Sequence, residues 1–290
     1  MFVSRKTSRK VSRKTPPKTF PKTPARAPVK ASPEDIMAAR LFFNAAFPTM
    51  QVLLDDDYKI RKAFQNYSGV VQFGAKNGEE LLCCHMTFDN GALKVTEGPA
   101  EKPDLTLTFD SVPKMIALLK GGLAMPKIKG NLKMLPNFLT LLLGLKIMTK
   151  PNSKLKDEGE KALKVKCSLY MITRALSQYN KLGDPDMKAF CLRQPDRIYQ
   201  FQVEHNEIPD YIAAYLRIKA GNSKSGHGVY KRRSPFVLFH FFSLDGALKV
   251  LGKECEFVEA AEKHYVETVG SPEYALYLND YMAILQAMLT

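Results

Sequence analysis

Cys83, Cys84 and His85 stand side by side, a run of soft ligands that could hold a metal ion through thiolate and imidazole. Their setting is the alternating stretch ELLCCHMTF. On a strand, Cys84 faces away from Cys83 and His85, so the three cannot close on one ion. The other histidines, His205, His227, His240 and His264, lie isolated from acids at metal-ligand or triad spacings. The stretch GNSKSGHG at 221–228 offers glycines and Lys224 to a phosphate, but lacks the phosphate-loop pattern and a helix after it. Lys127, Lys129 and Lys133 alternate along a short strand and into a helix. They read as a solvated face or as a contact for an acyl-CoA phosphate or lipid headgroup. The chain is therefore expected to be no enzyme, with no catalytic residue, no metal and no cofactor.

One feature has no such polar explanation. Lys127 to Met148, KIKGNLKMLPNFLTLLLGLKIM, is basic at the front and almost wholly apolar at the back. Its apolar run falls short of the roughly 18–20 residues that span a bilayer. As a helix from about Asn131 to Met148, it places Leu135, Phe138, Leu139, Leu142 and Leu145 on one stripe, and Leu141 and Leu143 widen that face. The helix is either sunk in a core or in need of an apolar partner: a ligand's hydrocarbon chain, or the other half of the protein.

The elements around it read as α+β. The chain has 290 residues, 45% hydrophobic and 25% charged, enough for one large domain or two smaller ones. Residues 1–31 carry ten lysines and arginines and no acid, leaving +4 of the total +14 for the rest. The tail, SRKTSRKVSRKTPPKTFPKT, cannot bury a core and is expected to be disordered. It reads as a solubilising extension, a start placed upstream of Met37, or an arm for transient contact with anionic membrane. The near-neutral body argues against nucleic acid as a partner. No secretory signal and no transmembrane helix are expected. Five scattered cysteines, without a C-x-x-C, suit a reduced, cytoplasmic protein.

Folding signals begin at SPEDIMAARLFF, where Ser32 caps a helix expected to reach about Ala46, with a second over Val52–Phe64. Strands follow at GVVQF, ELLCCHMTF, ALKV and DLTLTFD, with a hairpin at Asp89–Gly91, and then a helix after Ser111. Residues 151–166 are polar and read as a linker. The order then repeats: helices, IYQFQVE, DYIAAYLRIKA, a turn at GNSKSG, GVYKR, PFVLFHFF, a helix from Ser243, HYVETVG and a last helix. VQF at 71–73 faces YQF at 199–201, and KPDLTLTFDSVPKMIALLKGG faces RSPFVLFHFFSLDGALKVLGK. Two tandem domains are expected, 32–150 and 167–290.

KPDLTLTFD, a helix ending in Gly121–Gly122 and then KIKGNLKML resemble the sterol carrier protein 2 family over roughly residues 35–150. The second half departs from the pattern and reads as a degenerate repeat. The resemblance implies a mostly antiparallel five-stranded sheet covered by helices, enclosing an apolar tunnel for sterol, fatty acid, acyl-CoA or phospholipid. On that basis the site is expected in the first half, around Met86, Phe88, Leu107, Phe109, Met115, Leu119, Met125, Phe138, Leu142 and Leu145. The function expected is non-enzymatic binding and transfer of lipid. The alternative is an accessory protein-interaction or dimerisation module, for which a homodimer is a natural form. Val237, Phe239 and Phe241 are expected to contact the first half or a second chain.

Overall fold

The computed structural model of the protein describes residues 30–205 and 212–289. Nearly all of the basic tail lies outside the described residues. Folding starts where the sequence places it: Ser32 Oγ accepts from the Asp35 N–H at 3.1 Å, and Pro33 opens the first turn. The helix then runs further than expected. α1 (Pro33–Leu41) continues through a π-helical turn (Phe42–Ala46) into α2 (Phe47–Asp56). In the π turn the Phe47 N–H reaches back five residues to the Phe42 carbonyl. Pro48 has no N–H to return to Asn44, and Arg174 of the second half donates Nε to the Asn44 carbonyl at 2.9 Å. A bulge and a long-range donor thus carry the helix past the expected end near Ala46 and past Pro48. The real break is Asp57, whose carboxylate accepts from the Lys59 and Ile60 N–H groups and starts α3 (Tyr58–Phe64).

Pro33–Asp56 is also the one helix among the described residues that is long and apolar enough to cross a membrane, which the sequence did not lead us to expect. Two-thirds of its apolar window is buried within the protein.

Two five-stranded sheets follow. The first holds β1 (Ser68–Asn77), β2 (Glu80–Asp89), β3 (Ala92–Glu97), β4 (Leu105–Phe109) and β5 (Lys127–Gly130), in the order β3-β2-β1-β4-β5. The second holds β6 (Asp196–Val203), β7 (Ile212–Lys219), β8 (Asn222–His227), β9 (Val237–Phe241) and β10 (Val266–Gly270). Its order, read from the same edge, is β8-β7-β6-β9-β10, the same topology. In each, the two central strands pair in parallel, Phe73 opposite Leu107 and Phe201 opposite Phe239, and the other pairs are antiparallel.

The agreement reaches single residues. Gln72 and Gln200 are buried on equivalent strands, and each Oε1 accepts a loop N–H, from Ala100 and Tyr230 respectively, at 2.9 Å. Gly130 and Gly270 end the edge strands at φ +100° and +112°, where a Cβ would meet the Asp104 or Phe236 carbonyl oxygen at 2.1 Å. The hairpins turn at Asn90–Gly91 and Ala220–Gly221, all four residues at positive φ.

The second hairpin corrects the expectation of a turn over GNSKSG followed by a strand GVYKR. Asn222–His227 is itself the strand. Its inward residue is Ser223, held by Asn180 Nδ2 at 3.0 Å, so its buried face is polar and gives no hydrophobic signal.

Helices cover the sheets. The first half has α4 (Val112–Leu119) and α5 (Leu135–Gly144), the latter extended by 3-10 turns at both ends; the second has α7 (Pro185–Leu192), α8 (Leu244–Leu251), α9 (Phe257–Glu262) and α10 (Pro272–Leu289). α6 (Glu158–Lys181) begins inside the expected linker. That stretch looked polar, but Lys164 is buried, its Nζ donating to the Lys150 carbonyl and to Asn152 Oδ1. α6 lies across the π turn and α2, joining the halves, and Lys166 pairs with Asp56 at 2.6 Å.

Candidate functional site

The ten residues proposed from the sequence separate into three groups. Met86, Phe88, Leu107, Phe109, Met115 and Phe138 are fully buried in the first half. They belong to an interlocked aromatic core. Phe73 meets Phe47 edge-on at 5.3 Å, Phe109 at 5.4 Å and Phe138 at 6.4 Å, and Phe88 packs against Phe64 and Tyr67. Phe47, Phe64 and Phe138, from the covering helices, pack their rings against Phe73 and Phe88 of the sheet.

Met125 goes elsewhere. It was expected beside the tunnel, but it is 87% exposed. α4 stops at Lys120, Gly121 turns at φ +92°, and the chain leaves the core before it reaches β5.

Leu119, Leu142 and Leu145 do line a cavity. It measures about 270 Å³ and lies between the halves, where Phe42 and Ala46 of the π turn, Met171 of α6 and Leu289 of α10 complete the wall.

A second cavity, about 190 Å³, lies within the second half between its sheet and α6, α9 and α10. Phe201 and Phe239 form its floor, stacked 4.7 Å apart and nearly parallel, with Phe241 beside them. Phe257 meets Phe239 edge-on at 5.8 Å. The opposite wall is Met171, Ile172, Asn279, Met282 and Ala283, which carry no ring. Phe73, the first-half counterpart of Phe201, meets Phe47 and Phe138, whereas Phe201 borders this cavity. Polar side chains gather at one side: Lys253, Glu256 and Gln286. Lys253 is the one cation in this lining, and its Nζ donates to the Ala283 carbonyl at 3.3 Å.

The two cavities abut. Met148, from the end of the first half's last helix, and Met171 line both. Methionine is unbranched and turns easily, so these two side chains form a deformable wall. Each cavity alone is smaller than the roughly 300–1,000 Å³ of ordinary ligand pockets; joined, they reach that range.

Sequence reasoning missed Phe201, Phe239, Phe241 and Met282 as site residues. The signal was present in PFVLFHFF, which sets Phe239 and Phe241 on the inward face of its strand. Val237, Phe239 and Phe241 are buried under their own half's helices, with Met148 as the first half's contribution.

Cys83, Cys84, His85 and Lys224 do not assemble into a site. Cys83 and Cys84 are buried on opposite faces, and His85 Nδ1 sits 3.0 Å from the Gly98 carbonyl. Among the described residues no group of three His, Cys, Asp or Glu could hold a metal. Burial pushes the Cys84 thiol far up and those of Cys167 and Cys191 to about 12, so all three are protonated and weak nucleophiles. Lys224 lies on β8, not in a phosphate-binding loop.

No protein-family model and no curated protein sequence matches the chain. Among solved structures, the first part of the chain is similar to sterol carrier protein 2 structures. Palmitated sterol carrier protein 2-like 2 from Aedes aegypti is 18% identical over 38% of this chain and 90% of its own, with a TM-score of 0.29. The sterol carrier protein domain 2 of Helicoverpa armigera is 21% identical over 40% and 93%, TM-score 0.29. The stereoselective inverting sec-alkylsulfatase Pisa1 from Pseudomonas sp. is 9% identical over 51% and 28%, TM-score 0.24. Identities and scores of this size assign no ligand and no reaction.

Proposed function

We propose that this chain is a non-enzymatic binder and carrier of lipid, and that its hydrocarbon site lies in the second half rather than the first. The observation that carries the reading is the apolar cavity over Phe201, Phe239 and Phe241. A buried apolar face that borders empty space lacks dispersion contacts that a ligand would supply. Each ligand methylene transferred there from water contributes about 0.8 kcal/mol. A chain that displaces the Met148 and Met171 side chains passes from this cavity into the one walled by Leu119, Leu142 and Leu145. Lys253 sets the polar end and favours an acidic headgroup such as a fatty-acid carboxylate. The two halves are on this reading a structural repeat, one filled and one open.

The test is a native mass spectrum of the purified full chain. The expected result is a co-purified species of lipid mass that is absent from Met282→Trp, which fills the cavity with an indole. Protein free of lipid, and still unable to take up added fatty acid, contradicts the reading.

A further inference from the structure

Residues 111–156 contain nine lysines and no acidic residue. Within this stretch, the chain between α4 and α5 places large apolar side chains in water. Leu123 is fully exposed and Met125 nearly so, at 102% and 87%, with Leu132 at 63%; Leu143, within α5, is 56% exposed. Scattered exposed leucines are ordinary on a protein surface, but several of them within one acid-free basic stretch are not. Lysines 120, 127, 129 and 133 are all exposed in the same loop, strand and turn. Asp110 pairs with Lys127 at 2.8 Å, and Lys120 donates to the Ala287 carbonyl at 2.9 Å; Lys129 and Lys133 add further charge beside them. Lys120, Gly121, Leu143 and Lys146 also form the rim of the cavity between the halves.

We propose that the loop 121–126, with the lysines around it, is a docking surface for an anionic lipid bilayer, Leu123 and Met125 entering the acyl region and the lysines meeting headgroup phosphates. A bilayer suits both halves of the pattern. It offers hydrocarbon to the leucine and methionine within reach of a plane of negative charge, where each basic residue adds roughly 1 kcal/mol, about fivefold in partition. A folded partner protein would have to supply an apolar notch and acidic groups at matched positions, whereas a fluid surface needs neither. Docking in this orientation turns the rim of the inter-half cavity toward the bilayer. The surface does not depend on either cavity being occupied, so it stands apart from the ligand reading.

The experiment places an environment-sensitive dye on Met125→Cys in the full chain. The five native thiols are buried, which leaves residue 125 as the site of labelling. Lys94→Cys, exposed on β3, is the control position. With vesicles of phosphatidylcholine and phosphatidylserine, the dye at 125 is expected to shift to the blue and to be quenched by lipids brominated on their acyl chains, while the dye at 94 is not. Lys129→Glu with Lys133→Glu is expected to lower partition at least about tenfold. The basic tail can draw the protein to such vesicles, but it cannot bury residue 125. A dye at 125 that stays in water while the protein sediments with vesicles overturns the proposal. So does a blue shift that depends on protein concentration without vesicles, which identifies a second copy as the occupant.

Discussion

Asp196 is held by two arginines in the second half. Arg217 grips it through Nε and Nη2 at 2.9 and 2.8 Å, and Arg233 adds a third bond at 3.0 Å. The Arg217 hydrogen bonds first, then the charges of Arg217 and Arg233, hold the carboxyl at about 2, below its ordinary 3.8. A depressed carboxyl stabilises the fold fully above its unfolded value and loses that contribution as pH falls through the folded one. Asp196→Asn is therefore expected to lower the denaturation midpoint at pH 7, with the gap to the parent narrowing below pH 4 and closing near pH 2. A gap that stays constant across this range would show that charge is not what the residue contributes. At this scale the sequence is a good guide to burial and a poor one to vacancy. Phe109 and Phe138 sit in the core as their pattern requires. Whether a buried ring faces another ring or a void depends on residues far away in the chain, and no local pattern records it.

Helix and strand identities were largely legible, because amphipathic period, N-caps and turn glycines are local. Boundaries failed where a distant partner changed the local balance. The first helix is expected to end near Ala46, but it continues through Pro48, where Arg174, 126 positions later, satisfies the carbonyl that the proline leaves open. Lys164 reads as linker, but its ammonium is held by a carbonyl and an amide oxygen in the preceding turn. Asn222–His227 reads as a turn because its inward side chain is a hydrogen-bonded serine. The Arg174 contact also ties α6 to the first half. Hydrogen bonds from charged groups contribute roughly 1.5–3 kcal/mol, and Arg174→Ala should cost about that in chemical denaturation. Pro48→Ala supplies a backbone N–H near the same carbonyl, so the double variant should lose less than the two single losses combined. Strict additivity would mean that the arginine acts through its packing alone.

For the whole molecule, the duplicated order of elements and the likeness of the first half to a lipid-carrier pattern were legible from paired motifs and from KPDLTLTFD with KIKGNLKML. The division of labour was not. The half with the stronger resemblance packs its sheet with Phe47, Phe109 and Phe138, and the divergent half keeps the space. The loss of motif similarity makes the second half look like a degenerate repeat, yet the cavity over its phenylalanines lies there. The central claim is that a hydrocarbon chain occupies this second-half cavity. Titration of a fluorescent fatty acid into the parent, Ala283→Trp and Phe109→Leu tests it most directly, with circular dichroism confirming that each variant is folded. The account predicts saturable binding by the parent, at least about tenfold weaker binding by Ala283→Trp, whose indole removes the volume that about two to three methylenes would fill, and near-parent binding by Phe109→Leu. Parent-like binding by a folded Ala283→Trp, together with loss of binding in Phe109→Leu, would place the ligand in the first half and contradict it.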